Sequence, residues 1–435
     1  MILTTEPLGK SHGSSLRGEI RPPGDKSISH RALILASLAS GQSRIEGLLD
    51  SEDVRATATA CRQLGMSSRG QGETLLINGV GSEGLSAPGA PLDMGNSGTA
   101  MRLLTGVLAA QPFSSILVGD ASLSQRPMRR IVQPLEQMGA RIQTTESGTP
   151  PLKIEGNAQL QGIDFESPVA SAQVKSCILL AGLYAQGCTR VSEPRKSRDH
   201  TEKMLPSFGV PMEQGCSVAG GSKLSAARIQ VPGDISSAAF FLAAAAMIPE
   251  SGMLLRDVGL NETRDGIVHV LRAMGADLEV ENQRMYGQEA VGDIRVRCER
   301  RLEGIDIPVE WIPSLIDELP AIMALAAVSG GMTRIRGAEE LRVKESDRIA
   351  VMAQGLETLG VRLQEYPDGI DIEGGAIGEG TVDGAGDHRC AMSFCILGQL
   401  AAGPVSVTGA ENIDTSYPGF VRDLAAVGGN IFNNM

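Results

Sequence analysis

Cysteine is sparse in this chain and poorly placed for cross-linking. Seven cysteines, an odd number with no CxxC pair, argue against a disulfide framework and against a zinc site, and fit reduced thiols in a cytoplasm. The five histidines, His12, His30, His200, His269 and His388, form no HExxH or comparable ligand spacing, so no metal centre is expected. An excess of cations is missing as well. With a net charge of −12 and a pI near 5.1, the chain is not expected to bind nucleic acid or an anionic membrane in bulk. Any anionic ligand must therefore be met by a local cluster of cations. Long hydrophobic runs are absent, since the strongest, AAFFLAAAAMI at 238–248, is too short to span a bilayer. MILTTEPLGK at the start has no basic segment followed by an apolar one, so no export signal is expected. Aromatic residues make up only 3%, but 42% hydrophobic and 21% charged residues are an ordinary globular balance, and 435 residues suit two or more domains.

Repetition is what the chain has in quantity. A turn followed by an apolar strand recurs as SGQSRIEG, QPFSSILVG, QGCTRVSE, ESGMLLRD, GGMTRIRG and AGPVSVTG, in steps of 65 to 79 residues. A second marker, glycine at a helix end, falls at Gly65, Gly139, Gly209, Gly275, Gly360 and Gly428, in steps of 66 to 85. Both markers share a period near seventy residues. Each unit reads strand, apolar helix, strand, amphipathic helix, strand. The first helices of the units are apolar nearly all round, which places them in a core, and each begins with residues suited to an N-cap. PGDKSISHRALILA at 23–36 is echoed by PGDISSAAFFLAAA at 232–245, an offset of 209 residues. The fold expected is α/β, with two similar domains of three repeats each around buried parallel helices, an inside-out α/β barrel. The boundaries expected are 22–232 for the first domain, and 1–21 with 233–435 for the second.

The echo is imperfect where chemistry would sit. Lys26, Ser27 and Arg31 align with Ile235, Ser236 and Phe240, so the cations belong to one copy only. Helix N-termini present unpaired N–H groups and attract anions. GNSGTAMR (95–102) places Gly98 at a helix start, and SAQVKS (171–176) places Ser171 and Gln173 at another. LSQRPMRR and RKSRDH supply Arg126 and Arg198, while LRVKESDR and GDHRCAMS supply Lys344, Glu345, Arg348 and Arg389. IDELP offers Asp317 and Glu318 before an apolar helix, one as a cap and the other as a carboxylate for proton transfer. Each stretch alone also reads as ordinary capping or solvated charge. Together, cations and carboxylates at or beside buried helix starts describe an enzyme acting on phosphorylated substrates.

In order along the chain, PGDKSISHR, GNSGTAMR, SAQVKS, LRVKESDR and DHRCAMSF resemble the EPSP synthase family, in its more divergent bacterial branch. The resemblance implies two domains of three βαβαββ units closing over substrate. It implies transfer of the enolpyruvyl group of phosphoenolpyruvate to the 5-hydroxyl of shikimate 3-phosphate, in the shikimate pathway, with no metal or organic cofactor. It assigns Lys26, Ser27, Arg31, Ser171, Ala172, Gln173, Arg198, Asp317 and Lys344 to shikimate 3-phosphate. Lys26, Gly98, Arg126, Gln173, Arg348 and Arg389 go to phosphoenolpyruvate. Asp317 becomes the base for the 5-hydroxyl, and Glu345, helped by Lys26, the group exchanging a proton with the methylene carbon. A cytoplasmic monomer is implied, without nucleic-acid or membrane partners. Two positions depart from the usual family pattern: Thr415 stands where a lysine is common, and Leu103 follows GNSGTAMR where proline is common. Gly98 points to glyphosate sensitivity and Leu103 to a weakening of it, hence an intermediate expectation.

Two other readings compete. The related enolpyruvyl transferase acting on UDP-N-acetylglucosamine typically uses a loop cysteine, but none lies between Cys61 and Cys177. A DNA clamp also repeats small α/β units, yet it needs cations spread along a lining rather than gathered at helix starts.

Overall fold

The structure, a computed structural model, describes residues 1–9, 15–70, 74–156, 159–212 and 216–434, so His12 lies outside it. The chain divides into two compact units. One, here the Lys26 unit, comprises Gly24–Val231 and Met285–Glu289; the other, the Asp317 unit, comprises Met1–Pro23, Pro232–Arg284 and Ala290–Met435. Residues 285–289, at a hairpin tip, were not part of the expected first domain.

The Lys26 unit is built on three core helices, Lys26–Leu38, Gly98–Leu108 and Ala172–Gly182. Each start is fixed by a short polar side chain that accepts from an otherwise unpaired N–H. Asp25 Oδ1 takes the Ile28 N–H at 2.9 Å, Ser97 Oγ that of Ala100 at 3.1 Å, and Ser171 Oγ that of Val174 at 3.4 Å. An added Cβ on Gly106 would sit 2.2 Å from the Cys177 carbonyl oxygen, so the second and third core helices meet backbone to backbone. One hydrophobic cluster surrounds these helices, and three small sheets cover it. In the first, Arg228–Gln230 runs parallel to Ser40–Glu46, which pairs antiparallel with Thr74–Val80. A strand from the end of the third repeat thus completes the sheet of the first.

The Asp317 unit repeats this plan around Ile235–Met247, Leu319–Val328 and His388–Leu397, with its own hydrophobic cluster. Asp234 and Asp387 cap two of the helices by accepting the Ser236 and Arg389 N–H groups at 2.8 and 2.9 Å. The third differs from expectation. Glu318 occupies the cap position but makes no capping bond, because its carboxylate accepts the Ser236 hydroxyl instead. N-terminal strands finish the sheets here: Arg17–Ile20 is parallel to Gly252–Gly259, and Ile2–Thr5 lies between Val405–Thr408 and Ile431–Asn434. The six helix-end glycines, from Gly65 to Gly428, all have φ between +82° and +109°, the region that a side chain disfavours. Among the described residues no single helix is long and apolar enough to cross a membrane.

Candidate active site

In the Lys26 unit two of the four candidate cations, Lys26 and Arg31, lie on the first core helix, and Arg126 and Arg198 lie in loops. Lys26 opens the first helix, and its Nζ lies 2.5 Å from Asp53 Oδ2. Arg31, one turn on, is buried and donates from Nε to Thr201 Oγ1 (2.8 Å), from Nη2 to Ser176 Oγ (2.7 Å) and from Nη1 to the Ser27 carbonyl (3.0 Å). Burial pulls its pKa down to about 10 while Glu202 and Asp25 hold it up, so it remains a cation at neutral pH. The charge of Arg198 also works to lower this pKa, so the field at this helix start favours an anion. His30 is fully buried between Thr57 Oγ1 (2.7 Å) and Ser97 Oγ (3.4 Å). Burial, then Lys26 and Arg31, push its pKa well below the usual range, so His30 ties the helix starts together as a neutral group.

At the second and third starts, Arg102 donates to Gln173 Oε1 at 2.6 Å, and Gln173 donates to Thr99 Oγ1 at 2.9 Å. Arg126 donates to Asn96 Oδ1 at 2.7 Å. Gly98 sits among them: a Cβ there would be 2.8 Å from Arg102 Nη1 and 3.4 Å from Arg126 Nη1. Sequence reasoning passed over Arg102, although the signal was present. It lies four residues after Gly98, the spacing that returns a side chain to the same helix start. Asp53, the partner of Lys26, carried no comparable signal.

The Asp317 unit gathers carboxylates round one guanidinium. Arg348, 1% exposed, meets Asp387 Oδ2 through Nε at 2.8 Å, Glu345 Oε2 through Nη2 at 2.6 Å and Asp317 Oδ1 through Nη1 at 3.2 Å. Asp317 also faces Lys344 Nζ at 3.8 Å and Arg389 Nη2 at 4.0 Å, and its carbonyl accepts from Arg389 Nη1 at 2.9 Å. The Arg389 side chain turns to Asp317, while Asp387 takes the Arg389 backbone N–H on one oxygen and Arg348 on the other. Burial works to raise the Asp387 pKa, but Arg348 outweighs it and holds the carboxyl below its usual range. Thr415 is buried beside His388, Oγ1 to Nδ1 3.5 Å.

The two clusters differ in kind. The one around Lys26 is dominated by cations, and the one around Asp317 sets three carboxylates against three cations. An anion-holding group and an acid–base group are the equipment of a group-transfer enzyme rather than of a binding module. Comparison with known proteins agrees. The family model for EPSP synthase (3-phosphoshikimate 1-carboxyvinyltransferase) matches residues 10–424. A 3-phosphoshikimate 1-carboxyvinyltransferase of Methylococcus capsulatus is 53% identical over 420 residues, 96% of each chain. One from Xanthomonas campestris is 54% identical over 412 residues, 94% of each. The solved EPSP synthase of Acinetobacter baumannii superposes with a TM-score of 0.90 at 46% identity, each chain covered in full. This chain belongs to the EPSP synthase family.

Proposed function

We propose that Lys26, Asp317 and Glu345 carry out the carboxyvinyl transfer that defines this family. The enzyme joins the 5-hydroxyl oxygen of shikimate 3-phosphate to C2 of phosphoenolpyruvate and releases inorganic phosphate. In this reading Asp317 accepts the 5-hydroxyl proton as the C–O bond forms. Glu345, assisted by Lys26, protonates the methylene carbon and later removes a proton from the resulting methyl group. The C2–O bond to phosphate then breaks and the vinyl double bond is restored. Ser27, Arg31, Ser171, Ala172, Gln173, Arg198 and Lys344 hold shikimate 3-phosphate. Gly98, Arg126, Gln173, Arg348 and Arg389 surround phosphoenolpyruvate, and Arg102 joins them by its bond to Gln173. The observation that carries the reading is the attachment of Asp317 and Glu345 to the one guanidinium of Arg348, which fixes two candidate proton carriers side by side. Cations beside them would stabilise the charge that develops during transfer. The reading includes a monomer; its cytoplasmic location is supported by seven free thiols, and the lack of a nucleic-acid or anionic-membrane partner by a net charge of −12.

Phosphate release from purified protein tests it. Release is expected only with both substrates present and is expected to survive chelation of metals. Release that requires a divalent ion, or that proceeds with another acceptor in place of shikimate 3-phosphate, would contradict the proposal.

Gly98→Ala supplies a sharper result. The new methyl group must displace Arg102 Nη1, the end of a flexible side chain, at the expense of its bond to Gln173. The KM for phosphoenolpyruvate is expected to rise about tenfold, as for loss of one charge-assisted hydrogen bond. Inhibition by glyphosate should weaken at least as much, while thermal stability stays near that of the parent. An inhibition titration unchanged by the substitution would remove the steric account.

A further inference from the structure

Glu193 has no part in the transfer just described, yet it accepts four hydrogen bonds. Oε2 takes the Ser171 N–H at 3.3 Å and the Ser197 hydroxyl at 2.6 Å. Oε1 takes the Ser197 N–H at 3.1 Å and the Lys175 ammonium at 2.6 Å. Lys175 also reaches Glu202 at 2.8 Å and the Ser197 carbonyl at 3.5 Å. Ammonium and carboxylate are 4% and 8% exposed, so this is no solvated surface pair. Burial works to lower the Lys175 pKa, but Glu202 and Glu193 outweigh it, and the lysine stays charged.

A buried ion pair contributes little to stability compared with apolar residues of the same volume, so its presence points to a demand for geometry. The elements it fastens are informative. Ser171 is the cap residue of the third core helix, and Glu193 opens the loop 193–199 that carries Arg198. The same network touches Arg31: Ser176, next to Lys175 in the chain, accepts one of its N–H groups, and Glu202 helps to hold it charged. Lys175 neutralises Glu193, so a carboxylate can act as the fastening without repelling a nearby anion.

We propose that Glu193 is a positioning residue for the phosphate end of shikimate 3-phosphate, setting the Ser171 helix start and the Arg198 loop in one arrangement. The proposal rests on the functional reading above. Glu193 touches no reacting atom, and its contribution is to affinity for one substrate.

Glu193→Gln keeps size and shape but removes the charge that Lys175 and the two N–H groups engage. Titration calorimetry with shikimate 3-phosphate alone is expected to show binding weakened about tenfold, the scale of one or two charge-assisted hydrogen bonds. At saturating shikimate 3-phosphate, the KM for phosphoenolpyruvate and kcat should stay within about threefold of the parent. Ser197→Ala removes one of the four bonds without changing charge, and should weaken binding of the same substrate about threefold, as for a single neutral-donor bond. If Glu193→Gln does not fold, Ser197→Ala decides. Equal losses for both substrates, or shikimate 3-phosphate binding unaltered in a folded variant, would overturn the proposal. Failure of the parent chain to bind shikimate 3-phosphate would instead sink the functional reading, and this proposal with it.

Discussion

Lys26→Met is expected to cut phosphate release from the two substrates by at least about a thousandfold, the scale on which a positioned charge stabilises a transition state. Methionine keeps the length of the aliphatic stem and removes only the ammonium group. The helix start should survive, because Asp25 caps it through the Ile28 N–H without using the Lys26 side chain. What changes locally is Asp53, a buried carboxylate that loses its partner at 2.5 Å. That loss costs stability of about 1–3 kcal/mol, and thermal unfolding will register it as a modest fall. Double substitution of Lys26→Met with Asp53→Asn separates the effects. The second change should recover stability and leave turnover abolished. A Lys26→Met enzyme that keeps a tenth of its activity would reduce Lys26 to the structural partner of Asp53.

Arg348→Met is expected to combine loss of turnover with the largest loss of stability among the site substitutions. One buried guanidinium serves Asp387, Glu345 and Asp317, and its own pKa is raised because those three carboxylates outweigh the cost of burial. Removing one partner of a buried ion pair typically costs about 3–5 kcal/mol. The pH dependence carries a distinctive sign. In the parent chain Asp387 has a lowered pKa, so its contribution to stability is present above the ordinary carboxylate range and is lost as pH falls through the lowered value. Without Arg348 only burial remains as the leading influence, and it favours the protonated acid. The folded variant then gains a proton as pH falls, and its deficit relative to the parent should narrow from pH 7 towards pH 4. Denaturant unfolding at several pH values measures this directly. A deficit that stays constant over that range would mean that Asp387 does not depend on Arg348.

The sequence was most informative where a local rule governs the backbone. Helix-end glycines were legible because only glycine accepts positive φ cheaply, and Gly65, Gly139, Gly209, Gly275, Gly360 and Gly428 all adopt it. Core helices were legible because they are apolar all round, and five of the six carry a capping side chain at the expected place. The fifth was misread because Glu318 is claimed by Ser236, a residue 82 positions away. The same limit explains the site. Which segments carry it follows from cations at helix starts, a local pattern. Why Arg348 reaches Asp387 and Asp317 besides its neighbour Glu345, why Arg389 turns to Asp317, and which carboxylate holds Lys26 are decided by side chains distant in sequence. Glu193 carried no signal, since EPRKS reads as a solvated turn until Lys175 is seen beneath it.

The exchanged strands bear on how the chain can acquire its shape. Arg228–Gln230 closes the sheet of the first repeat, so the three sheets of the Lys26 unit have all their strands within Gly24–Val231. The Asp317 unit is not contiguous in this way. Ile2–Thr5 pairs with Ile431–Asn434, and Ile2 lies opposite Asn434. These partners are about 430 residues apart in sequence. Contacts of such long sequence separation form slowly, so the sheet that holds Ile2–Thr5 is expected to close later in folding than the sheets of the Lys26 unit.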